Sequence, residues 1–283
     1  SDEIFKQLSQ NYLKFRNTCK FCLDNLVNFD PDHLVQPDEM LPLDKWAVTR
    51  LNSLIEKVFA AYDNYEFHVV SHMVNDFCVV DLSSFYFDII KDRLYCGEEN
   101  GLERRSAQTA VWMILDAMTR LFAPILAFTC DEVWLAMPHR TQDDARNVLF
   151  NEMVQPYAAY ALSEDEMAKW ARIAALRTAV NGALEQARAD KTIGKSLEAE
   201  VDLTVTAEDA FLADMDAAAL ADILIVSQVR VDVGAEQAVA VRPANGAKCL
   251  RCWKVLPTVG SDAGHPDLCP RCAAVVKKLP VIE

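Results

Sequence analysis

Residues 65–77, Tyr65-Glu66-Phe67-His68-Val69-Val70-Ser71-His72-Met73-Val74-Asn75-Asp76-Phe77, decide the class of fold. Phe67, Val70, Val74 and Phe77 recur at steps of three and four. That spacing lines up along one side of a helix and would scatter over both faces of a strand. The pattern predicts one long helix from about Tyr65 to Tyr95, with Gly97 and Gly101 marking the connection after it.

Reading outward, the same period occurs on both sides. Residues 2–28 read as a helix, with Ile4, Leu8, Phe15 and Leu26 among its apolar positions, broken at Asn28-Phe29-Asp30-Pro31 because proline disfavours a helical residue before it. Leu43-Asp44-Lys45-Trp46 opens the next helix, with Asp44 as its expected N-cap. Two more helices follow Gly101, the second expected to open at Ala123-Pro124, where proline suits a first turn, and to end at Pro138. Residues 1–160 are therefore expected to form an all-helical bundle.

Ser163-x-x-Glu166 has the form of a capping box heading a helix with Ile173, Leu176, Val180 and Ala187 on one stripe. Past Gly194 the period changes. Val201, Leu203 and Val205 alternate with polar residues, which predicts a strand over Glu198–Ala207. A short alanine-rich helix and two β-rich stretches, Ile223–Val233 and Gln237–Arg242, complete a small α+β junction over 161–242. Residues 243–283 are turn-rich and have too little apolar content to fold without help. The expected fold class is mainly α: a helical bundle, a small α+β junction and a zinc-ribbon-like module.

That module holds Cys249-Leu250-Arg251-Cys252 and Cys269-Pro270-Arg271-Cys272, a C-x2-C-x16-C-x2-C spacing. Two residues between thiolates let each pair wrap around one metal, and two such turns complete a tetrahedron. Cys249, Cys252, Cys269 and Cys272 are read as ligands of one zinc, rather than as two redox pairs. Four thiolates leave no position for a reactive water, so the zinc is structural. His265 could replace a ligand, but four cysteines suffice.

The chain has nine cysteines in no regular framework. Its N-terminus has neither a basic region nor an apolar signal core, and no apolar run reaches membrane-spanning length. A reducing cytoplasm is the expected location, without a membrane and as a monomer. The chain has no initiator methionine and runs straight into helical pattern, as a segment of a longer polypeptide would. Other motifs lead nowhere. Cys19-Lys20-Phe21-Cys22 lacks a second pair and reads as packing. His68 and His72 lie one helical turn apart but lack the glutamate of a zinc protease. Lys191-Thr192-Ile193-Gly194-Lys195-Ser196 ends like a nucleotide-binding loop, yet Ala189 stands where glycine is needed and a helix precedes it instead of a strand. No catalytic triad or carboxylate pair is found.

The net charge of −14 speaks against polyanions, but it is unevenly spread. From Arg242 onward seven Lys/Arg face three acids, a net of +4, leaving −18 on the rest. Local basic faces are needed if the partner is nucleic acid. Arg177 and Arg188, eleven residues apart, share a helix face, which Lys191 and Lys195 extend. Lys91 and Arg93 form a second basic spot. Trp253 follows Cys252 between Arg251 and Lys254, an aromatic with flanking cations that suits stacking on an unpaired base. Taken singly, each reads first as a solvated charge, and Trp253 as a cover for the zinc core; only their context raises them.

Several segments carry a resemblance. Asp63-Asn64-Tyr65-Glu66-Phe67-His68, Asn75-Asp76-Phe77-Cys78-Val79-Val80-Asp81-Leu82-Ser83-Ser84-Phe85-Tyr86 and Asp88-Ile89-Ile90-Lys91-Asp92-Arg93-Leu94-Tyr95 resemble the anticodon-binding helical domain of bacterial isoleucyl-tRNA synthetases. Arg16-Asn17-Thr18, Ala123-Pro124-Ile125-Leu126 and Asp131-Glu132-Val133-Trp134 fall where that family has similar segments. Ile193-Gly194-Lys195-Ser196-Leu197-Glu198-Ala199 resembles its junction, and Cys252-Trp253-Lys254 its C-terminal zinc domain. Valyl- and leucyl-tRNA synthetases share the helical domain; the Phe-Cys-x-x-Asp-Leu-Ser run together with the four-cysteine module favours isoleucine.

The resemblance implies a C-terminal region that grips the anticodon stem-loop of isoleucine tRNA. Arg16, Lys91, Arg93, Arg177, Arg188, Lys195, Trp253 and Lys254 are then the expected RNA contacts. The catalytic domain, with its HIGH and KMSKS signatures, and the editing domain are missing from this sequence. ATP and isoleucine would bind only there, so this chain alone is expected to be inactive. The competing reading is a helical scaffold whose zinc module binds protein, which the acidic bulk favours.

Overall fold

A computed structural model describes residues 2–279. They divide into two compact units: one runs to Leu94 and resumes over Glu99–Glu164, the other takes in Tyr95–Glu98 and continues from Asp165.

The first unit is helical: α1 (Asp2–Asn25), α2 (Pro42–Asp63), α3 (Phe67–Asp76), a wider-wound segment (Phe77–Tyr86), α4 (Phe87–Cys96), α5 (Leu102–Phe122) and α6 (Ala127–Ala136). From Ser106 to Phe122 every residue of α5 is buried, as expected of a helix at the centre of a bundle. Helices α1, α2, α3 and α6 all pack against it. Arg104 Nε, near its start, is buried without a hydrogen-bond partner, but polar side chains further along the helix are bonded. Gln108 donates to the Asn25 carbonyl (2.9 Å) and Trp112 Nε1 to the Pro138 carbonyl (2.9 Å). Arg120 spans Asp116 (2.8 Å) and Asp143 (2.9 Å).

Along α1 Phe15, Cys19 and Cys22 are buried, as is Leu26 just past its end, but Leu8, on the same stripe, is exposed; the Ile4 side chain lies outside the described residues. The helix stops at Asn25, three residues short of the expected end. The Cys19 and Cys22 thiols are free and buried, as packing residues, whereas His68 and His72 face solvent.

Two helix starts differ from expectation. Helix α2 begins at Pro42 with Leu41 flanking it, so Asp44 lies inside the first turn and caps nothing. Its carboxylate is fully buried and accepts bonds from Nη1 and Nη2 of Arg93 (2.9 and 3.0 Å), Tyr86 Oη (2.7 Å) and Ser106 Oγ (2.5 Å). Ala123-Pro124 does not open α6. The Phe122 carbonyl accepts from Ile125 N and Leu126 N, so the stretch closes α5 as a turn and α6 begins at Ala127.

The expected helix from Tyr65 to Tyr95 is present but not uniformly wound. Phe77–Tyr86 forms a ten-residue π-helix between α3 and α4, a winding rare beyond one turn. Ser83 Oγ donates to the Cys78 carbonyl (2.7 Å) and Ser84 Oγ to that of Val79 (2.5 Å), each five residues back. Asp81 anchors the segment through a two-bond pair with Arg50 (2.9 and 3.1 Å).

In the second unit, α7 (Glu164–Ala189) buries Trp170, Ile173, Leu176, Val180, Leu184 and Ala187. The central strand β1 (Ala199–Val205) pairs in parallel with β2 (Gln228–Val233) and antiparallel with β3 (Ala238–Pro243). A parallel pair needs a crossover, and α8 (Ala217–Leu224) supplies it, capped by Asp216 accepting from Ala219 N at 2.8 Å. Ile223 and Leu224 thus end a helix, although the sequence reads them as strand. The expected boundary at 242/243 is bridged: Ser227 Oγ accepts from Val255 N (2.7 Å), and Gln228 Nε2 donates to the Asn245 (2.8 Å) and Val255 (3.1 Å) carbonyls. Junction and zinc module form one unit. Among the described residues no helix is long and apolar enough to cross a membrane.

Candidate metal centre and nucleic-acid interface

The module is framed by a short ladder, β4 (Ala247–Lys248) with β5 (Val255–Leu256), and by α9 (Pro270–Val276). The turn between the strands closes with Cys249 N donating to the Lys254 carbonyl and Trp253 N to that of Cys249, both at 2.9 Å. This brings Cys249 and Cys252 together. Cys269 sits just before Pro270, which starts α9 with its missing N–H at no cost, and Cys272 follows in the first turn.

All four sulfurs lie within 4.8 Å of one another and all four cysteines are buried. A tetrahedral zinc with Zn–S bonds of about 2.3 Å requires sulfurs roughly 3.8 Å apart. The Cys252 and Cys269 sulfurs are 3.8 Å apart. Cys269 N donates to Cys249 Sγ at 3.3 Å. Backbone N–H groups of the turns outweigh burial at Cys249 and lower its thiol, whereas burial raises those of Cys252 and Cys272. The donor set fits one structural zinc, and His265 is not part of it.

Around the sulfurs lies a shell of support. Cys96 belongs to the same buried cluster, with Leu256, Val259 and Leu268 packed against it. Arg251 donates to the Cys96 carbonyl and reaches Cys272 Sγ at 3.9 Å, while Cys96 Sγ donates to the Arg251 carbonyl at 3.5 Å. Nothing local in the sequence links Cys96 to cysteines more than 150 residues later.

Trp253 stands in the left-handed region (φ 65°), unusual for an aromatic residue. The turn that gathers the cysteines imposes this conformation, and it directs the indole outward. The residue is 58% exposed, and it is not among the hydrophobic residues packed against the cysteine cluster. Lys195 Nζ lies 5.9 Å from its centroid, within cation–π range.

The expected RNA contacts separate into two groups. Arg16 and Lys91 are exposed in the first unit, Lys91 with Asp88 3.1 Å away. In the second unit Lys195 and Trp253 are exposed, and Arg188 is half-exposed beside Glu185 at 3.0 Å. The other three have partners within the fold. Arg93 is held by Asp44. Arg177 is buried, with Nε donating to the Ile223 carbonyl at 3.0 Å, so it does not share an outer face with Arg188. Lys254 is bound to Asp222, its side chain 12% exposed. Each is a cation that the fold pairs with a distant acceptor, which removes it from the surface.

Comparison with known proteins agrees with this architecture. The family described as "Anticodon-binding domain of tRNA ligase" matches residues 44–203, and that described as "Zinc finger found in FPG and IleRS" matches residues 246–275. The chain is 44% identical to the isoleucine–tRNA ligase of Geobacter sulfurreducens over 98% of its own length and 31% of that protein. It is 45% identical to the Desulforamulus reducens enzyme (98% and 31%) and 43% to that of Moorella thermoacetica (99% and 31%). It therefore spans about a third of the length of the curated relatives it matches. The chain belongs to the anticodon-binding domain family of tRNA ligases, and after that domain it carries a zinc finger of the kind found in FPG and IleRS.

Proposed function

We propose that this chain is the tRNA-gripping region of an isoleucine–tRNA ligase, binding the anticodon stem-loop of isoleucine tRNA. Aminoacylation, with its use of ATP and isoleucine, then resides in the part of such a ligase that this sequence lacks. The observation that carries the reading is Trp253, an exposed aromatic held in a strained backbone by a four-cysteine centre with a lysine beside its ring. A metal-braced ring open to solvent suits an unpaired base, because every base offers a face to stack on. Arg16, Lys91, Arg188 and Lys195 are the cations proposed to meet phosphates. Arg93, Arg177 and Lys254 are assigned to support.

The test is filter binding of isoleucine tRNA and of an anticodon-altered tRNA over a range of salt. Trp253→Ala is expected to weaken binding about 5- to 150-fold, the stacking of one base, and to leave bound zinc unchanged. Binding indifferent to the anticodon, or insensitive to salt, would favour a protein-binding scaffold instead.

A further inference from the structure

The segment rejected above as a nucleotide loop borders a cavity of about 460 Å³, lined among others by Arg188, Lys191, Thr192, Gly194, Glu198 and Pro243. Lys191 is left-handed (φ 59°), and the turn after it aims two backbone N–H groups at one point. Gly194 N (2.9 Å) and Lys195 N (3.1 Å) both donate to Glu198 Oε2. Converging amides of this kind hold anionic oxygens. A Cβ on Gly194 would stand 2.9 Å from that oxygen, so glycine is what lets the anion come close. Those amides, with Lys248 and Lys195 nearby, hold the Glu198 carboxyl below its ordinary range.

The balance of charge around this carboxylate is lopsided. Arg188 and Lys191 wall the cavity, and Lys195 and Lys248 act on Glu198 from outside it. Among the described residues that line the cavity Glu198 is the one acid, and Arg188 has the exposed Glu185 as a partner. Lys195, whose backbone N–H binds Glu198, also carries its ammonium beside the Trp253 ring, which links the cavity's carboxylate to that ring.

We infer that this cavity seats one phosphodiester of the RNA backbone next to the nucleotide at Trp253, with the Glu198 carboxylate occupying the seat until RNA displaces it. The inference rests on the proposed tRNA binding. A free nucleotide is not the ligand, because the turn follows a helix and lacks the first glycine and preceding strand of a nucleotide loop.

The experiment uses the full chain and isoleucine tRNA, with affinity measured across a salt series. Glu198→Gln keeps an amide oxygen for the two N–H groups but removes the competing charge, and is expected to raise affinity about 3- to 10-fold. Arg188→Gln with Lys191→Gln is expected to reduce the slope of log affinity against log salt by about 1, one phosphate contact, without lowering the melting temperature. An unchanged slope in that double variant, while Trp253→Ala still weakens binding, overturns the phosphate seat and leaves the tRNA reading standing. No loss in either variant overturns both. Acylation of Lys191 gives a second readout: isoleucine tRNA should protect it, and equal protection by inorganic phosphate alone would overturn the assignment to RNA.

Discussion

Replacing Asp44 with alanine tests the largest departure of the structure from its sequence. The carboxylate is wholly buried and accepts four hydrogen bonds, two from Arg93, whose side chain is only 12% exposed. Removing it strands a guanidinium and two hydroxyl donors in the bundle. Breaking one side of a buried ion pair costs about 3–5 kcal/mol, against a total stability of about 5–15 kcal/mol for a domain. At roughly 2–4 °C per kcal/mol, Asp44→Ala should melt about 6–20 °C lower by far-UV circular dichroism. Arg93→Met should fall similarly, since it leaves the carboxylate unpaired. The double variant Asp44→Leu/Arg93→Met should recover part of the loss, because both charges are then gone. A loss below about 1 kcal/mol, the range of exposed pairs, would refute the reasoning. So would an Arg93→Met variant of normal stability that binds tRNA less well.

Three further outcomes are expected. Cys272→Ser should abolish the retention of about one zinc per chain and expose the residues after Gly246 to protease, because metal binding and folding are one event in such modules; a protease-resistant variant without zinc would contradict this. Gly246→Ala should loosen the same module and speed zinc transfer to a colorimetric chelator, since at φ 121° its Cβ would lie 2.2 Å from the Leu256 carbonyl carbon; an unchanged rate would tell against it. Glu200, bonded to Arg242 and flanked by Arg230, has its carboxyl below the usual range. A depressed folded pKa adds stability above the unfolded value of about 4.3, lost as pH falls through the folded one. Glu200→Gln should therefore be less stable near pH 7 while the gap to wild type narrows toward pH 3 in urea titrations; a gap that ignores pH would count against the pairing.

What could be read without coordinates was what is encoded locally. The zinc ligands come in two pairs, each two residues apart, so the sequence itself carries most of the geometry. The helices of the bundle announce themselves because their apolar period repeats over many turns. Asp44 misleads because a short acid at the start of a helix has the same local signature whether it caps the backbone or accepts from Arg93, Tyr86 and Ser106. Ala123-Pro124 misleads in the same way, proline suiting both a first turn and the turn that ends α5. The fates of Arg93, Arg177 and Lys254 depend on Asp44, Ile223 and Asp222, all at least 32 residues away, and no window of sequence contains both partners. Lys248 escapes notice for the same reason, since Glu198, the carboxylate it acts on, lies far back in the sequence.

The wide-wound stretch Phe77–Tyr86 acts as a phase shifter. In an α-helix each residue turns the side-chain direction by about 100°, and a wider helix turns it less, so the error accumulates along the segment. Helix α4 therefore leaves it on a different bearing from the one α3 would have given. Removing one residue there and restoring ordinary winding would swing α4 around its own axis and carry Arg93 away from Asp44. The length of this stretch is constrained by direction as much as by distance.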